Sequence, residues 1–192
     1  MAETCDSNNK VIREYHHDAS FMSRCDIFTD VTEYQPCLAY AGESGKGNFE
    51  PKWDTDNVTP HLIEQFKLNC AASNLPVKVF VSIGGDDPFK VAAGGADDWV
   101  LNATTTLHHM INEYHIDGID VNYTTILCNQ KLFVNCFKDL IRGLREALCT
   151  TGFVASLAPD AATYVVFQCF VDFEPRDPNR PVKSLVQHTY QN

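Results

Sequence analysis

Basic residues are scarce: 15 Lys and Arg stand against 25 Asp and Glu, a net charge of −10. A chain of that sign lacks the positive footprint that phosphate backbones require, and it is repelled by anionic lipid. Neither nucleic acid nor membrane is therefore expected as a partner. Long apolar runs are also missing, since no stretch approaches the roughly 20 residues that cross a bilayer. The opening MAETCDSNNK is polar and holds no apolar segment of the kind that directs export, so the expected location is cytoplasmic. No C-x-x-C pair occurs among the cysteines at 5, 25, 37, 70, 128, 136, 149 and 169, which removes the usual spacing of zinc and thioredoxin-like sites. In a reducing compartment these are expected to be free thiols, with Cys37, Cys136 and Cys169 acting as small hydrophobes. The sequons at Asn57, Asn102 and Asn122 are then expected to be unmodified. No metal site and no cofactor is expected.

What the sequence does hold is enough apolar residues, 44% of 192, for one core. Short apolar runs predict strands at Val11–Tyr15, Cys37–Ala41, Val77–Ser82, Gly118–Asn122, Val154–Ala158 and Tyr164–Phe170. Helical patterns lie between them. Thr59-Pro60 reads as a cap and first-turn proline ahead of an apolar face at Leu62, Ile63 and Phe66. Trp99, Ala103, Leu107, Met110 and Tyr114 mark a second helix behind Asp97 and Asp98. A third stripe runs through Leu132, Phe133, Cys136, Phe137, Leu140, Ile141, Leu144 and Leu148, with Gly152 as its stop. Alternating strands and helices argue for a parallel sheet covered by helices, with room for one helix in each interval. A closed eight-unit barrel takes about 250 residues, so an incomplete (β/α)8 barrel of five or six units is expected. Residues 1–10 read as a polar segment and 11–192 as one barrel-like domain. The gap between Ala158 and Tyr164 is too short for a parallel crossover. The prolines at 175, 178 and 181 rule out a long regular element in the tail, leaving room for a short helix at Val182–Gln187.

Gly42 to Gly47 (GESGKG) lacks the spacing of a phosphate loop and reads as a flexible strand-to-helix loop. Ser82-Ile83-Gly84-Gly85 lacks a dinucleotide fingerprint and instead marks crowding at a strand's C-terminal end. The pairs His16-His17 and His108-His109 cannot readily share a metal, since neighbours do not share a face. Asp117-Gly118-Ile119-Asp120-Val121-Asn122-Tyr123 alternates polar and apolar, so Gly118, Asp120 and Asn122 point to one face. In a barrel that face is the interior, where polar groups must be hydrogen-bonded or functional.

These residues resemble family-18 glycoside hydrolases, and in particular the plant chitinase-2-like branch that includes narbonin. The likeness runs through Val11–Tyr15 (VIREY), Phe49–Pro60, Val77–Gly85 (VKVFVSIGG), Trp99–Tyr123, Val154–Pro159 (VASLAP) and Tyr164–Gln168 (YVVFQ). It implies a (β/α)8 barrel and a substrate of β-1,4-linked N-acetylglucosamine. It also implies that the family's D-G-x-D-x-D-x-E strand is here the degenerate Asp117, Gly118, Asp120, Asn122, Thr124. The general-acid glutamate is replaced by Thr124, and the aspartate that steadies the substrate's N-acetyl group by Asn122. Phe170 stands where the family carries a tyrosine. The residues implied to meet a sugar are Ser82, Gly84, Gly85, Asp120, Asn122 and Phe170, with Trp53 as an aromatic platform. The reading is a chitinase-like protein without hydrolysis, with a storage or chitin-oligosaccharide-binding role; the alternative is an active chitinase or endo-N-acetylglucosaminidase. The resemblance implies that a loop before Tyr164 and the family's final two barrel units are missing here, as in a truncated paralogue or a piece of a longer protein.

Overall fold

The computed structural model describes residues 10–28, 31–43, 45–85, 87–91, 95–149 and 152–158. The expected strand at Tyr164–Phe170, the short helix at Val182–Gln187, Phe170, Cys5 and Cys169 lie outside them. The chain runs through β1 (Val11–His16), a 3-10 turn (Ala19–Ser23), β2 (Glu33–Glu43), β3 (Phe49–Pro51) and α1 (Pro60–Ala72). It continues through β4 (Phe80–Gly85), α2 (Ala96–Glu113), β5 (Gly118–Tyr123), α3 (Gln130–Leu148) and β6 (Val154–Leu157).

One sheet holds all these strands, in the order β1-β2-β4-β5-β6, with β3 paired to β2 off that path. Every pairing along the path is parallel, while β3 lies antiparallel to β2. The alternation read from the sequence therefore holds, and the described part is an open arc of an α/β barrel. Two intervals depart from it. The first carries a five-residue 3-10 turn where the spacing left room for a full helix. The second carries the β2–β3 hairpin ahead of its helix.

That hairpin corrects the reading of Gly42–Gly47 as a loose loop. The Glu43 carboxylate accepts the Gly47 N–H at 2.6 Å, and the Asn102 amide donates to the Lys46 carbonyl at 2.9 Å. Gly47 sits at φ +83, and a Cβ there would lie 2.1 Å from the Trp99 carbonyl oxygen. Only glycine lets this turn press against α2.

Helix ends follow the chemistry of their caps. The Thr59 hydroxyl accepts the Leu62 N–H, and the Asn129 side chain accepts the Leu132 N–H, each worth about 1 kcal/mol. On α1 the buried face is Ile63, Phe66 and Cys70; Leu62, expected on it, is 39% exposed. The end of α3 is made by Cys149 in the left-handed region (φ 49), not by Gly152. The strand expected from Val77 begins its ladder only at Phe80. Before that, the Asp117 carboxylate takes the Val79 N–H, and Val77 makes only a single bridge with Tyr34.

The core lies between sheet and helices. Phe89, Trp99, Tyr123, Phe133 and Phe137 form an aromatic cluster, with Phe89 edge-on to Phe133 at 4.9 Å and Phe133 tilted against Phe137 at 4.7 Å between ring centres. Near β1 the core takes in polar groups. Tyr34 donates to Glu14 at 2.8 Å, and the His16 ring lies 3.1 Å from both the Tyr34 and Ser20 hydroxyls. Burial lowers the His16 pKa, against the opposing pull of Glu14.

The expectation of free thiols is corrected at one place: Cys25 and Cys70 form a disulfide with their Cα atoms 5.0 Å apart. The loop after the 3-10 turn folds over the buried face of α1 and brings together residues that no spacing rule pairs. Cys37, Cys128, Cys136 and Cys149 are free. Burial pushes the Cys136 thiol up to about 11, as expected of an inert core thiol.

Candidate functional site

Strand periodicity sends Arg13 and Tyr15 of β1, Gln35 of β2, Ser82 of β4, Asp120 of β5 and Ser156 of β6 to the concave side of the arc. Register then aligns them: Arg13 opposite Gln35, Ser82 opposite Asp120, Asp120 opposite Ser156. Asp120 is fully buried at the centre. One carboxylate oxygen accepts Arg13 Nη1 at 2.6 Å and also the Ser156 hydroxyl; the other accepts the Tyr15 hydroxyl at 2.7 Å. The guanidinium also donates from Nε to Gln35 Oε1 at 3.0 Å and stands 4.1 Å above the centre of the Phe80 ring.

Gly118 makes room for that ring, because a Cβ there would lie 2.6 Å from Phe80 and 2.3 Å from the Val154 carbonyl. The result is a buried charge with an opposite partner and a bond to each oxygen, the arrangement that makes such burial tolerable. Burial first, then the neighbouring Asp120 charge, raises the Tyr15 pKa, so this hydroxyl stays protonated and donates. The same two causes raise the thiol of buried Cys37 beside it.

The mouth of the arc lies at the C-terminal ends of β4 and β5. There Gly84 pairs with half-buried Asn122, and a Cβ on Gly84 would lie 2.6 Å from the Asn122 carbonyl oxygen. Gly84 and Gly85 both have positive φ, 114 and 67. Thr124 is exposed at the rim and donates its hydroxyl to the Gly85 carbonyl at 3.3 Å. This site offers hydroxyl, amide and backbone groups. At position 124 it offers no acid, because a threonine hydroxyl does not ionise in the range of general acid catalysis.

The residues taken together from the sequence do not all meet. Gly84, Gly85, Asn122 and Thr124 share the mouth, while Ser82 lies below it, buried and opposite Asp120. Asp120, expected among the sugar contacts, lies beneath it and is fully buried, its carboxylate taken up by Arg13, Ser156 and Tyr15. Asp117 is at the opposite end of β5, roughly 20 Å from Thr124 at strand rise. There it takes the Val79 N–H at 2.7 Å and pairs with Lys67 at 2.6 Å, tying α1 to the starts of β4 and β5. Trp53 is no platform: it is 4% exposed and packs edge-on against Tyr114 at 5.2 Å. Sequence reasoning missed Arg13 and Ser156. The signal for Arg13 was a charged residue on the same strand face as Val11 and Tyr15, whereas Ser156 gave none. Among the described residues no group of three His, Cys, Asp or Glu side chains is placed to hold a metal ion.

An arc of parallel strands with helices outside and polar side chains converging within defines a (β/α)-barrel protein. No family model matches the chain. It is 37% identical over 203 residues to the RuBisCO-associated protein of Glycine max, covering 92% of this chain and 70% of that one. It is 33% identical over 104 residues to Chitinase 1 of Tulipa saxatilis subsp. bakeri, covering 52% and 32%. Among solved structures it superposes on the catalytic domain of the family GH18 chitinase from the fern Peteris ryukyuensis with a TM-score of 0.72 and 28% identity. The family 18 chitinase from Crocus vernus gives 0.71 and 26%. Each superposition covers 85% of this chain and 63% of the other, so the chain spans less than two thirds of these chitinases. The chain belongs to the chitinase-like proteins of glycoside hydrolase family 18.

Proposed function

We propose that this is a non-hydrolytic chitinase-like protein whose mouth holds N-acetylglucosamine oligomers without cleaving them. The observation that carries the reading is Thr124, exposed at the rim and bonded to a backbone carbonyl where the family places its acid. General acid catalysis is worth ~10² to 10⁴ in rate, and a neutral hydroxyl supplies none of it. Asn122 in place of an aspartate also withholds the negative charge that would steady a cationic intermediate. The Asn122 amide, the Thr124 hydroxyl and the glycine backbone are neutral hydrogen-bonding groups suited to a sugar's hydroxyls and acetamido group. Calorimetry with chitin oligosaccharides tests the binding. Saturable heat that weakens in Asn122→Ala is the expected result, and a flat titration removes the reading.

A second reading is favoured by the 37% identity to a protein named for its association with RuBisCO, and by Trp53 lying in the core and not at the mouth. On that reading the barrel is a scaffold for protein association. Co-sedimentation of the purified chain with RuBisCO, alongside a flat sugar titration, would favour it over the first.

A further inference from the structure

Among the described residues the Cys25–Cys70 disulfide is a covalent link that neither reading of the mouth uses, and its two cysteines differ in exposure. Cys70 lies on the buried face of α1 with no exposed surface, whereas Cys25 is half-buried in the loop after the 3-10 turn. Beside Cys25 an open cavity of about 420 Å³ is lined by Asp26, Phe28, Ser73 and Asn74 among others. The cavity therefore borders Cys25 and not Cys70, and its wall mixes polar and apolar groups.

We propose that small-molecule thiols of the glutathione type open this bridge at Cys25 alone, leaving Cys25 as a thiolation site seated in the adjoining cavity. A thiolate must approach the sulfur it attacks along the S–S axis, and access selects which sulfur that is. The incoming thiolate forms a new S–S bond to Cys25 as the Cys25–Cys70 bond breaks. The electron pair leaves on Cys70, which takes a proton and becomes a thiol inside the core. No net oxidation occurs in this step. A second thiolate then attacks the added group, releasing the small-molecule disulfide and Cys25 as a thiolate. Those two electrons come from the two thiols. Asp26, Ser73 and Asn74 supply hydrogen-bonding partners to a polar adduct while it is attached. The mouth is made by other elements, β4 and β5, so opening the bridge leaves it intact.

Glutathione at millimolar concentration, added to the full-length oxidised protein under native conditions, tests this by peptide mass mapping. The expected adduct is on Cys25, located by fragmentation of the peptide 25–46, which also holds Cys37, with none on the peptide holding Cys70. Adduct on Cys70, equal adduct on both, or two free thiols at the start overturns the proposal, as does reduction only when the whole chain unfolds. Two variants give an independent readout. In Cys70→Ser the remaining Cys25 should be alkylated by iodoacetamide roughly tenfold or more faster than Cys70 in Cys25→Ser. Equal rates contradict the proposal, and if a variant fails to fold the mass map of the unaltered protein decides.

Discussion

Replacing Arg13 by Met, which keeps its volume and removes its charge, strands the Asp120 carboxylate in the interior. Arg13 is 3% exposed and Asp120 is 0% exposed, so water cannot take the guanidinium's place. Removing one partner of a buried ion pair costs about 3–5 kcal/mol, and the lost stacking over Phe80 adds about 1 kcal/mol. That is a large share of the roughly 5–15 kcal/mol that holds a domain together. With a urea dependence of about 2 kcal/mol per molar, the unfolding midpoint should fall by about 2–3 M. Asp120→Asn should cost a similar amount, because it leaves the guanidinium without its counter-charge. The double variant should cost less than the two single changes added, with a coupling of about 2 kcal/mol or more. Urea unfolding followed by tryptophan fluorescence reads all four proteins. A loss under about 1 kcal/mol for Arg13→Met, or simple additivity with Asp120→Asn, would refute the claim that this pair organises the barrel interior.

Three further outcomes follow from the same geometry. His16 is held neutral by burial, so the unfolded chain binds its proton more readily than the folded one. Stability should therefore be full above pH ~6.5 and fall as the pH drops below it, and a thermal scan of His16→Gln should show a flatter profile over that range. Removing the Cys25–Cys70 link, which closes a loop with a sequence separation of 45, should cost about 4 kcal/mol by chain entropy, read as a lower Tm in Cys25→Ser or after reduction. Gly118→Ala would force a methyl to within 2.3 Å of the Val154 carbonyl and 2.6 Å of Phe80, and calorimetric unfolding should show a loss of about 1–3 kcal/mol; no change would mean that the ring and strand yield freely.

The periodic parts of this fold were legible because burial imposes a period. α2 and α3 bury Trp99, Ala103, Leu107, Met110 and Phe133, Phe137, Leu140, Leu144 at helical spacing, and β5 alternates as an inward-facing strand must. Position 124 was legible for a different reason: the resemblance to the family's strand motif, counted from Asp117, marked Thr124 as the residue standing where that motif carries its glutamate. Contacts distant in sequence were not legible. Arg13 and Asp120 are 107 residues apart, and Ser156 looks like any strand serine until register sets it opposite Asp120. Trp53 misled because an aromatic near a strand end fits a sugar platform or a core equally well, and only the packing of Tyr114 decides. The disulfide was hidden because the expected compartment stood in for geometry.

Position 124 is the centre of the account, and release of fluorophore from a chitin-oligomer glycoside by the purified chain tests it most directly. The predicted result is release no faster than in buffer. Turnover above buffer that persists in Thr124→Ala would contradict it, because cleavage would then run through a donor elsewhere in the mouth.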